Sequence, residues 1–153
     1  MYRILLLIHV LAGMAWVGGG FVIQVTSQRA LKTAGVPAAG RVMESFRWAD
    51  TWLAIGVPIL VVATGVTMVA MSGAWTFAQT WVWVSIALVV GYEAIAGTVG
   101  GRLYRAVEAT MRETDSTSNG EQTRLYGRYM QFGMALLLVL IVLVVLMVYK
   151  PGA

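Results

Sequence analysis

Four long stretches of the chain carry almost no charge: Ile4–Val25, Trp52–Met71, Trp81–Gly100 and Phe132–Tyr149. Each has about the ~20 residues that a helix rising ~1.5 Å per residue needs to cross a hydrocarbon layer ~30 Å thick. Apart from tyrosine, only two side chains within them titrate, His9 in the first and Glu93 in the third. A soluble domain is roughly one quarter charged residues, whereas this chain is 12% charged and 59% hydrophobic. With 153 residues there is no room to wrap four such helices in polar layers. Lipid admits only helices and closed barrels, because backbone groups must bond internally. The expected fold is therefore all-α, a four-helix transmembrane bundle formed by one domain over residues 1–153. The first stretch is long for a signal core and lacks a small-x-small cleavage site, so it is read as a retained span.

Basic residues set an expected orientation. Arg29, Lys32, Arg41 and Arg47 fall between the first two stretches, and Arg102, Arg105, Arg112, Arg124 and Arg128 between the last two. The segment Ser72–Thr80 has no charge, and only Arg3 and Lys150 lie elsewhere. Cytoplasmic loops retain Lys and Arg. Nine basic residues against two predict both termini outside and both long loops inside. Trp75, Trp81 and Trp83 bracket the short loop, and Trp48 and Trp52 the start of the second stretch, as amphipathic indoles at a headgroup boundary should. Trp16, deep in its span, is the exception. Between the first two spans, Gly35-Val-Pro37 interrupts a loop whose residues 38–50 suit an interfacial helix. Leu103–Arg112 should continue the third helix, followed by a flexible turn over 114–122.

Helices in lipid approach closely through small residues. Ala15-x-x-x-Gly19, Ala96-x-x-x-Gly100 and Gly97-x-x-x-Gly101 have that spacing, and Gly18-Gly19-Gly20 makes a smooth face or a kink. Pro58 frees a backbone carbonyl in the second span, which Thr64 or Thr67 could satisfy.

Ionisable groups inside a membrane are costly and so are candidates for function. His9 is the sole histidine. Uncharged at neutral pH, it keeps one nitrogen free for a metal; equally, it can serve as polar glue between helices. Glu93, after Tyr92, is a proton-relay candidate or a structural hydrogen-bonding group. The two differ in depth by ~10 Å of helix, so they should not share an ion. Without cysteine or a His-x-x-x-His pair, thiolate ligation and closed zinc or di-iron sites are excluded. Met68, Met71 and Met147 lie near the depth of His9, and thioethers suit Cu(I) or a haem iron. No nucleophile–base pair or phosphate-binding loop occurs, and the positive charge belongs to loops rather than to a nucleic-acid surface.

The pattern His9-x6-Trp16-x-Gly18-Gly19, then Pro58-x6-Gly65, then Leu146-Met-Val-Tyr-Lys150-Pro151 resembles an uncharacterised bacterial family of predicted four-helix integral membrane proteins. That family is similar, distantly, to the copper-resistance protein D membrane domain and to the small membrane protoporphyrinogen oxidase. The resemblance implies a bacterial cytoplasmic (inner) membrane location and, by analogy with the oxidase, haem b binding through His9, Trp16 and Gly19. Ser85 stands where the oxidase carries a lysine, Glu93 where it carries a histidine, and the Asn-Glu pair of its last helix is missing near Gln131. These departures argue against the oxidase's enzymatic activity while keeping a histidine-held haem. The expectation is thus a haem-binding, redox-associated membrane protein. Its alternatives are a cofactor-free accessory subunit, in a homo-oligomer or a larger membrane complex, and a route for copper.

Overall fold

The computed structural model describes residues 1–74, 76–112 and 119–150, and Trp75 and Pro151 lie outside them. The described residues are almost wholly helical. α1 runs Tyr2–Thr51, a π-helical turn follows over Trp52–Gly56, and α2 covers Val57–Met71. After a short loop come α3 (Thr80–Ile95), a second π-helical turn (Ala96–Gly100), α4 (Gly101–Arg112) and α5 (Asn119–Tyr149).

Among the described residues, three helical runs, not four, are long and apolar enough to cross a membrane: Tyr2–Met71, Thr80–Thr110 and Gly120–Tyr149. The expected first and second spans belong to one run, and the segment between them is helix, as expected for residues 38–50 but not for the loop before them. Its only non-helical point is Gly35, at φ 75°, ψ −173°. A positive φ of this size suits glycine, which has no Cβ to clash, and Pro37 starts the next arm where its missing N–H is harmless. The run folds back there. His9 bonds Thr64, and Gly19 lies against Leu53, so residue numbers rise in one arm as they fall in the other. The last helix also differs from expectation, starting at Asn119 rather than near Phe132 and taking in part of the predicted turn. The rest of that turn, residues 114–118, lies outside the described residues.

The π-helical turn before Pro58 has a local cause. A proline ring collides with the carbonyl four residues earlier, here that of Ala54. Widening the helix over Trp52–Gly56 relieves the crowding, with Val57 N–H reaching Trp52 O. The threonines do not serve Pro58: Thr64 Oγ1 donates to Leu60 O at 2.6 Å, and Thr67 Oγ1 to Ala63 O at 2.7 Å.

Two apolar clusters hold the helices together. Ala12, Trp16, Val61, Val89, Leu140 and Leu143 form one, nearer the end that carries both termini. Val36, Ala39, Val107, Tyr126 and Met130 form the other, beside the Gly35 turn. α4 is amphipathic and buries Val107 while Arg102 and Arg105 stay exposed, the pattern of a helix with water on its outer side. The expected small-residue contacts divide. A Cβ on Gly19 would sit 2.7 Å from Leu53 Cδ1, and one on Gly100 3.1 Å from Phe132, so both mark close approaches. Gly18, Gly97 and Gly101 have open space. Trp48 and Trp52 are exposed, with ring centroids 6.1 Å apart.

Candidate functional site

His9 reaches across the fold of the first run. Its Nδ1 lies 3.0 Å from Thr64 Oγ1. That hydroxyl spends its own proton on Leu60 O, 2.6 Å away, so toward the imidazole it acts as an acceptor. Nδ1 is therefore the protonated nitrogen of the neutral ring, and Nε2 is the one with a lone pair. The Val61 carbonyl, 3.1 Å from Thr64 Oγ1, offers the ring a further acceptor. Gly65 makes the approach possible: a Cβ there would stand 3.2 Å from His9 Cε1. The Pro58-x6-Gly65 spacing thus has a physical basis, since Pro58 sets the helix and Gly65 admits the ring.

His9 lines a cavity of about 670 Å³ near the end that carries both termini. Its wall is mostly aliphatic, with Val61, Val69, Val89, Leu140 and Leu143 among its contributors. The exceptions to that wall are few. Met14, Met68 and Met147 bring thioethers, Tyr2 a phenol, Ser85 a buried hydroxyl, and Trp81 and Lys150 stand together with Lys150 Nζ 5.6 Å from the Trp81 ring centroid. Trp16, 4% exposed, forms one boundary and meets Tyr92 edge to face at 5.3 Å.

Beyond Trp16 lies a second cavity of about 550 Å³, of different character. Gln24, Ser27, Arg47, Asp50, Tyr92, Tyr104, Glu108 and Tyr129 line it together with leucines and Phe132. Trp16 and Leu140 belong to both cavities and so form a partition between them. Gln24 is buried and donates from Nε2 to Met130 O. The buried Ser27 and Tyr126 hydroxyls lie together, each the other's hydrogen-bonding neighbour.

The sequence candidates separate accordingly. His9, Trp16, Met68 and Met147 come together around the first cavity. Met71 is 45% exposed and outside both cavities. Gly19 also lies outside them, spaced against Leu53, while Gly18 reaches the first. Tyr92 faces the second cavity. Glu93 faces neither, and its Oε1 is buried with no hydrogen-bonding partner. Sequence reasoning missed Thr64 as the histidine's partner, Gly65 as the space for its ring, and the polar second cavity. Gly65 was visible in the Pro58 motif, but its partner, 56 residues earlier (65 − 9), was not.

No curated protein and no solved structure matches the chain. A family match covers residues 3–151, nearly the whole sequence and both cavities. The chain belongs to the family of predicted integral membrane proteins DUF2269.

Proposed function

We propose that the chain crosses a bacterial cytoplasmic membrane four times with both termini outside, and that the cavity beside His9 holds haem b in a redox-associated role. A straight run of 70 residues would extend about 105 Å, more than three bilayer cores. Folding back at Gly35 turns it into two crossings, which with α3 and α5 make four. Most of the basic residues gather toward the Gly35 end, the side that the positive-inside rule assigns to the cytoplasm.

The observation that carries the haem reading is the Thr64 hydroxyl on His9 Nδ1. Histidine ligands characteristically donate their second N–H to an acceptor, which fixes the ring and keeps the other nitrogen basic. A lone pair on Nε2, at an apolar cavity of about 670 Å³, suits the iron of a flat macrocycle, since ligand cavities span roughly 300–1,000 Å³. Met68 or Met147 would supply a further ligand to it, and Lys150 would meet its carboxylates. When bound, the group would supply electron transfer or the binding of small gases and oxidants. Ser85, at the place of the oxidase's lysine, offers no cation, which favours a role other than that enzyme's.

Copper passage is the second reading, favoured by the thioethers of Met14, Met68 and Met147 and an imidazole on one cavity wall. Absorption spectroscopy and metal analysis of detergent-purified protein from haem-replete cells decide. A Soret band that His9→Ala abolishes, with helical circular dichroism retained, is the expected result. Copper bound without a Soret band favours the second reading, and neither favours a cofactor-free accessory subunit. Topology is tested separately: a reporter after Ala153 should be active outside and one near Ser118 only inside, and the reverse pattern overturns the orientation.

A further inference from the structure

The second cavity combines an aromatic wall with a carboxylate. Aromatic rings of Trp16, Tyr92 and Tyr129 contribute to its wall, and among them the Asp50 carboxylate lies close enough to both tyrosine hydroxyls to act on them electrostatically. Asp50 has no salt bridge among the described residues. Arg47, the basic residue of the same wall, is engaged 3.4 Å from Glu44. The fixed charge facing the space is therefore negative.

We propose that this cavity binds a hydrophobic organic cation, with Asp50 as its counter-charge and Trp16, Tyr92 and Tyr129 around its apolar body. The chemistry narrows the class. A small inorganic cation demands six or more oxygen ligands or its own water, and no group of three or more acidic or histidine side chains stands together among the described residues to hold one. An anion would face an unpaired carboxylate. A neutral apolar molecule gains nothing from Asp50 and is better matched by the first cavity. A diffuse cation with apolar substituents gains from the carboxylate, from the negative faces of the rings and from burial of its body, and about 550 Å³ suits a molecule of drug size.

The test uses two probes of one shape and opposite charge, tetraphenylphosphonium and tetraphenylborate, in equilibrium dialysis against the detergent-purified full chain. The phosphonium should bind saturably and the borate should not. Asp50→Asn should weaken phosphonium binding about two- to fivefold, the scale of losing one partner of a solvent-exposed charge pair. His9→Ala should leave it unchanged, so this inference and the haem reading fail separately. Equal binding of both probes, binding of neither, or an Asp50→Asn isotherm superimposed on the wild type overturns the proposal. The contrast between the two wild-type isotherms decides even where the Asp50 variant does not fold.

Discussion

Gly133 of α5 is the residue whose replacement has the most sharply defined consequence. A Cβ at this position would stand 2.5 Å from Gln24 Oε1, 3.1 Å from Cδ and 3.2 Å from Nε2, so Gly133→Ala displaces the whole amide. Gln24 is only 8% exposed, and its amide donates to the Met130 carbonyl. The methyl group therefore costs that hydrogen bond. Leaving a buried donor unsatisfied costs about 1–3 kcal/mol, whereas alanine in place of glycine returns up to about 1 kcal/mol of helix propensity. The net effect in the wild type is thus a loss of roughly 0–2 kcal/mol, too broad to be diagnostic alone. The coupling is diagnostic. In a Gln24→Ala background there is no amide to displace, so Gly133→Ala should be neutral or stabilising. The four proteins of this double-mutant cycle, unfolded reversibly in mixed micelles, should give a coupling of about 1 kcal/mol or more. Additivity within ~0.5 kcal/mol would refute the claim that Gln24 and Gly133 share this space.

Gly65→Leu should force His9 off Thr64, because even a Cβ would lie 3.2 Å from the ring; a melting temperature equal to wild type in detergent would contradict the close approach. Tyr126→Phe removes a buried hydroxyl whose partner is the Ser27 hydroxyl, so it should cost about 1–3 kcal/mol, less than the about 3–5 kcal/mol of Tyr126→Ala; a Phe variant as stable as the wild type would refute the bond between the two hydroxyls. Glu93→Gln should be tolerated far better than Glu93→Lys, since an amide keeps the carboxyl's shape while an ammonium would be buried unpaired. Equal loss of folded protein for both, read by size-exclusion chromatography, would show an ionised and paired Glu93.

Lipid as the solvent, helix as the only element and the gathering of positive charge toward one end were all legible in the amino-acid order. Each depends on sums over about twenty consecutive residues, and such sums need no knowledge of neighbours. His9 was legible as a candidate for the same reason, as a lone titratable group in an apolar stretch. Tertiary structure decided the rest. Val57–Met71 and Thr80–Ile95 are apolar on all sides, so no amphipathic stripe announces which face of either helix turns inward. The rotation of each helix, and with it the choice of Thr64 rather than Thr67 as the histidine's partner, comes from packing between residues 55 apart in sequence. Equal small-residue spacings met different fates by the same logic: Gly19 and Gly100 touch neighbours while Gly97 and Gly101 face open space. Joining two spans into one run required only that Gly35 be the sole break, and composition had suggested a loop because charged residues are common there. That reading failed because helix persists through polar sequence where one face is buried, as Val36 and Ala39 are against Val107 and Tyr126. The division of the interior at Trp16 into an apolar cavity and a charged one arises where four helices meet, and no single stretch of sequence contains it.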